Sequence, residues 1–164
     1  MHLKISSSSN LTDARFFSAI GAHYLGFCFD VLHTQNIPIG KANEIIKWLH
    51  HPVLVGEFGQ HQTKEEIEFI ANKIGLNDIQ IPFSHPQKVD FHFDKFLTIT
   101  DTNLINDNVE FSDSDFIVLK IDETRIQNIF SENKNVSSLS SPEITQLKQF
   151  ISQHHVFIDT VFTK

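Results

Sequence analysis

Two rhythms of apolar residues alternate along this chain. Short apolar runs are separated by segments in which apolar residues return every three or four positions. Tyr24 to Phe29 is a nearly continuous apolar run, the pattern of a parallel strand buried on both faces. His2 to Ser6, Pro52 to Phe58 and Asp78 to Ile81 read as further strands. Between them, Leu11 to Ile20, Lys41 to His50 and Thr63 to Ile74 read as helices. Ala42, Ile45, Ile46 and Leu49 share one helical face, whereas Leu11, Ala14, Phe17 and Ala19 fit one face only loosely. Asp13 falls in a first turn, where the helix dipole favours an acid, and Gly21 supplies a stop. Thr63 and Glu66 spell a capping box, and Gly75 ends that helix.

Four strands alternating with three helices mean βαβ units, a parallel sheet and right-handed connections. The second half is less regular. Phe96 to Thr100 and Phe116 to Ile121 read as strands, and Asp101 to Asp115 is polar and acidic with a weak helical pattern. Glu123 to Phe130 fits one short helix. Ser131 to Ser141 is rich in Ser and Asn and reads as an exposed loop. Ser141-Pro142-Glu143 opens a last helix to His154, followed by a strand from Val156 to Phe162.

Composition narrows the picture. The 164 residues suffice for one domain with a core, and 16 Phe must mostly be buried. The net charge of −7 argues against nucleic acid, because neutralising phosphates needs clustered Lys and Arg. A single Cys excludes an intrachain disulfide. No apolar run approaches the roughly 20 residues of a membrane span. The start of the chain goes straight into a strand without a signal-peptide core, so a soluble cytoplasmic protein is expected.

Lys4-Ile5-Ser6-Ser7, then Asp13-Ala14, then Gly21-Ala22-His23-Tyr24-Leu25-Gly26-Phe27 carry a resemblance. This run resembles the start of the phosphoribosylanthranilate isomerase family of tryptophan biosynthesis, where Lys-Ile-Cys-Gly is followed by Asp-Ala and Gly-Ala-Asp-x-Leu-Gly-Phe. Val55-Gly56-Glu57-Phe58-Gly59-Gln60 with Thr63 to Ile67 looks like the family's third strand and helix, and Asp78-Ile79-Gln80-Ile81 like its fourth strand. Phe116-Ile117-Val118-Leu119 is similar to the sixth strand. The match covers roughly the first 85 residues and fades beyond them. It implies an α/β fold, a TIM (β/α)8-barrel derivative formed by residues 1–164 as a single domain. Such barrels need about 200 residues or more, so this one is expected to be shortened or incompletely closed. An open parallel edge is usually covered, which motivates a homodimer.

The resemblance also implies a reaction, the Amadori rearrangement of an aminoaldose to an aminoketose. That chemistry uses a Cys base and an Asp acid and no cofactor. The catalytic Cys position is Ser6 here, and the Gly after it is Ser7. A thiol of pKa about 8.5 can be drawn toward neutrality, whereas a hydroxyl has no accessible anion there. A direct count puts Lys120 at the acid position. Asp122, two residues on, shares its side of the strand and is the candidate acid, or else an ordinary strand-end carboxylate. The family's glycine-rich phosphate loops are missing, since no Gly follows Gly75. Ser137, Ser138, Ser140 and Ser141 offer donors there but read more simply as a loop.

Ser7 and Gln80 are candidate ligand-binding residues, as are Gln35, at the position of an expected Arg, and His33, a solvated loop residue or a replacement base. Glu57 interrupts an apolar strand. It either points into the barrel as a perturbed acid or base, or, the favoured reading, points outward to a Lys or to water. Cys28 reads as a small buried hydrophobe, and the ten His form no metal-ligand motif. Three functions stay open. One is a degenerate isomerase relative with little or no activity that keeps a site for a small anionic or phosphorylated sugar ligand. The second is an active isomerase using Asp122 and a substitute base. The third is a protein-interaction module.

Overall fold

The computed structural model describes residues 2–86, 91–99, 116–122, 145, 149–153 and 155–161. For residues 121–122 and 159–161 it describes the backbone. The expected helix at 123–130, the Ser-rich loop and the opening of the last helix lie outside these residues. Two compact units divide the chain, Met1–Phe96 and Leu97–Lys164.

The first unit is built as the periodicity requires. Its elements are β1 (Lys4–Ile5), α1 (Leu11–Ala19), β2 (Tyr24–Cys28), α2 (Ile39–Ile46), β3 (Val53–Glu57), α3 (Lys64–Ile74) and β4 (Asp78–Pro82). β5 (Asp94–Ile99) leads out of it. β1 pairs with β2, β2 with β3 and β3 with β4, each time in parallel. This is the TIM-barrel type of α/β winding, in which each strand lies beside the next in chain order.

Local chemistry sets the boundaries. Asn10 caps α1 by accepting from the Asp13 N–H, and Gly21, at φ 89°, turns the chain out of it. α1 buries only Ala14, while Phe16 and Ile20 stay exposed, which explains its loose pattern. α3 has both halves of the expected capping box and ends on Gly75 in the left-handed conformation. α2 starts two residues earlier and ends four residues earlier than its pattern suggests. Pro38 provides its N-terminal bend, and Trp48 and Leu49 bond to Ile45 and Ile46 in tight three-residue turns rather than continuing the helix. β1 is shorter than expected, and just past it Ser7 adopts φ 52°, which ends the extended backbone.

The two faces of this sheet differ in chemistry. Leu25 and Phe27 of β2 and Ile79 and Ile81 of β4 are fully buried on one face. Leu76, just past α3, crowds Gly56 of β3 on that side, so it is the helix-covered face. Strand register puts Lys4, Tyr24, Gly26, Cys28, Val55, Glu57, Asp78 and Gln80 on the other face. A barrel turns that face inward, and here it is unusually polar.

In the second unit, β6 (Phe116–Asp122) pairs in parallel with β7 (Val156–Val161). Ile117, Val118 and Leu119 are buried, and residues 149–153 are helical, within the span expected for the last helix. Among the described residues no helix is long and apolar enough to cross a membrane.

The beginnings of the strands carry a separate electrostatic feature. Asp78 opens β4, is 8% exposed, and has its carboxyl raised to about 6 by burial and by the nearby Asp94. The Tyr24 hydroxyl is raised in turn by burial, Asp78 and Asp94. Between the unfolded value of 3.8 and about 6, the folded protein holds a proton at Asp78 that the unfolded chain has released. Stability contributed by this group therefore falls as pH rises through that window. Asp78→Asn is expected to stabilise the protein by about 1–2 kcal/mol at pH 7–8 and hardly at all near pH 4. Denaturant titrations at the two pH values check this.

Candidate functional site

The ends of β1 and β3 meet in a polar cluster whose Lys4–Glu57 pair is buried and whose Ser6 is exposed. Lys4 opens β1 with its side chain on the inner side, and Ser6 and Ser7 follow the strand. The Lys4 ammonium donates to Glu57 Oε1 at 2.7 Å and to Ser6 Oγ at 2.9 Å. Glu57 Oε2 accepts from the Ser7 backbone N–H at 3.0 Å and from its hydroxyl at 2.8 Å. The Lys4 and Glu57 side chains are 4% and 9% exposed, so the ion pair is buried. The ammonium stands 5.7 Å from the centroid of the Phe96 ring, which also meets Tyr24 edge-on.

Gly26 makes this encounter possible. It lies on β2, between the strands that carry Lys4 and Glu57, and a Cβ there would run into the Glu57 carboxylate. The missing side chain is thus the space in which the carboxylate sits.

Glu57 combines parts of both expectations for it. It is buried on the inner face, against the favoured outward reading, yet it is paired with a Lys. Burial by itself raises its pKa. The Lys4 charge and hydrogen bonds from Lys4, Ser7 and Ser6 outweigh that and hold the carboxyl below the ordinary 4.5. At neutral pH it is a carboxylate facing an ammonium, not an acid.

Ser6 and Ser7 are therefore brought together, but through Lys4 and Glu57. The two Gln diverge. Gln80 is buried one strand away, in register with Glu57, and its Oε1 has no hydrogen-bond partner among the described residues; the same is true of Ser8 Oγ. Gln35 and His33 are exposed in the loop after β2, where the His33 ring nitrogen accepts from the Gln35 N–H and folds back on its own turn. Asp122 ends β6 in register with Val161. Cys28 is buried, as expected.

The loops leaving the strands are tied by residues the sequence did not mark. Gln62 Oε1 accepts from the Gly59 N–H, and its amide nitrogen donates to the Phe29 carbonyl at 3.3 Å. The buried His85 ring bonds to the Gln62 carbonyl at 3.0 Å. Among the described residues no group of three or more His, Cys, Asp or Glu is placed to hold a metal ion.

This architecture has counterparts among solved structures. A phosphoribosyl anthranilate isomerase from Thermus thermophilus superposes with a TM-score of 0.65 at 15% identity, covering 98% of this chain and 87% of that one. The fold is that of the phosphoribosylanthranilate isomerases. Monomers generated from the dimeric isomerase of Thermotoga maritima give a TM-score of 0.69 at 18% identity, over 99% of this chain and 76% of theirs. An isomerase in complex with reduced 1-(o-carboxyphenylamino)-1-deoxyribulose 5-phosphate gives 0.67 at 19% identity, over 98% and 87%. No family model and no curated protein sequence matches the chain. The Lys4–Ser6–Ser7–Glu57 cluster lies where β1 and β3 end.

Proposed function

We propose that this chain is a phosphoribosylanthranilate isomerase-like protein with little or no isomerase activity, retaining a small polar site. The observation that carries this reading is the engagement of Ser6. Its hydroxyl accepts a hydrogen bond from a Lys that is itself paired with a buried carboxylate.

An Amadori rearrangement needs a base to take a proton from the sugar carbon and an acid to open the ribose ring. Ser6 lacks an accessible anion at neutral pH and needs a neighbouring base to activate it. Lys4 Nζ is already engaged, donating to Glu57 Oε1 and to Ser6 Oγ itself. Glu57 is a weak base, because Lys4 and Ser7 stabilise its charged form. The cluster is a neutral, internally satisfied unit. The unpartnered Gln80 and Ser8 oxygens support a small polar ligand, since a buried oxygen without a partner costs about 1–3 kcal/mol. The ligand class we assign is a small anionic or phosphorylated sugar, one of whose hydroxyls donates to Gln80 Oε1.

A second reading, an active isomerase, rests on Asp122 at the end of β6, where a strand-end carboxylate would supply the acid. Expression in a bacterium lacking phosphoribosylanthranilate isomerase separates the two. No growth without tryptophan is expected from soluble, folded protein. Growth that is lost on changing Asp122 to Asn would establish the active enzyme instead.

A further inference from the structure

The donors around Glu57 have the form of a binding site for a carboxylate. One oxygen takes the Lys4 ammonium; the other takes the Ser7 N–H and hydroxyl. Ser7 is held at φ 52°, a conformation that a residue other than Gly adopts only when its surroundings require it. That backbone aims the N–H at the carboxylate. Gly26 leaves the volume open, and the ammonium also stands over the Phe96 ring.

We propose that Lys4, Ser7 and the gap over Gly26 form a carboxylate-binding cradle that Glu57 occupies from within the chain. The residue at position 57 then determines whether this cradle can take an external ligand. The ligand class follows from charge and shape. One ammonium balances one negative charge, so a monocarboxylate is neutralised on binding, whereas a phosphate dianion would bury an uncompensated charge. The donors divide between two oxygens, as a planar carboxylate presents them. In the native protein the tether gives the Glu57 carboxylate a high effective concentration, so free acids do not displace it. The inference stands on this geometry alone and is independent of whether any isomerase activity survives.

The test is chemical rescue. Glu57→Ala removes two carbons and the two oxygens, the atoms that acetate restores. Thermal unfolding of the full chain is followed at pH 7 in sodium acetate and in sodium chloride of equal ionic strength. The Ala variant is expected to melt several degrees higher in acetate than in chloride, with a saturating dependence in roughly the millimolar range, the affinity class of so small a ligand. Formate should act similarly, and benzoate, too large for the gap, should not. The native protein should respond equally to acetate and chloride. The double variant Lys4→Met/Glu57→Ala should lose the acetate effect. If Glu57→Ala is unfolded in chloride, recovery of its far-ultraviolet circular dichroism in acetate is the readout. The same response to both salts, no recovery in acetate, or an acetate effect that survives Lys4→Met overturns the proposal.

Discussion

Replacing Glu57 by glutamine is expected to lower stability by about 3–5 kcal/mol, the cost of breaking a buried ion pair from one side. Glutamine keeps the shape and can still accept from Ser7. It leaves the Lys4 ammonium, with its side chain 4% exposed, without a counter-charge. For a chain of this length each kcal/mol lowers the melting temperature by about 2–4 °C, so the loss is large in a thermal melt and in urea. Removing both charges should behave differently. Lys4→Met/Glu57→Leu is expected to recover most of the loss, because the desolvation of both ions disappears with their attraction. A cost below about 1 kcal/mol for Glu57→Gln would mean that the pair is screened like a surface pair. The pH dependence has a definite sign. The folded-state pKa of Glu57 is lowered, so its contribution is present above 4.5 and is lost as pH falls through the folded value. The acid limb of the native stability profile should therefore be shallower in Glu57→Gln.

Gly26→Ala should cost nearly as much, about 2–4 kcal/mol, although it introduces one methyl group. The new Cβ meets the Glu57 carboxylate and lies 3.2 Å from Lys4 Nζ. A free carboxylate at the end of a flexible side chain would swing aside at little cost. Here Lys4 and both Ser7 donors hold it, so moving it breaks the pair. The effect must then depend on Glu57. In a Glu57→Ala background, Gly26→Ala should be nearly neutral, or slightly stabilising through the smaller backbone entropy of Ala in the unfolded chain. A double-mutant cycle by urea unfolding measures this coupling. Equal costs in the two backgrounds would show that backbone packing, rather than the carboxylate, requires the glycine.

Two signals for the cluster were present in the sequence but insufficient on their own. Gly26 interrupts the apolar run Tyr24 to Phe29, and a glycine inside a strand often marks a close approach by another group. Glu57 interrupts another apolar strand. Neither signal names its partner. The outward reading of Glu57 follows from the ordinary expense of burying a carboxylate, and it fails because Lys4 comes from a strand 53 residues away. His33 reads as near the mouth of a site, and its Nδ1 accepts from the Gln35 N–H of its own loop. His85 and Gln62, which tie loops together, carry no periodic or motif signal at all.

Local chemistry alone determined much of this protein. The alternation of strand and helix, the capping box at Thr63 and the left-handed stop at Gly75 depend on residues within a few positions of one another, so the sequence contains both partners of each interaction. It also determined that a hydroxyl stands at position 6, where the resemblance places a thiol. Tertiary structure alone decided what that hydroxyl touches. The pairing of β1 with β2 and of β2 with β3 brings Lys4 and Glu57 to opposite sides of Gly26. That meeting depends on strand register, which is set by packing across the whole sheet and has no local code.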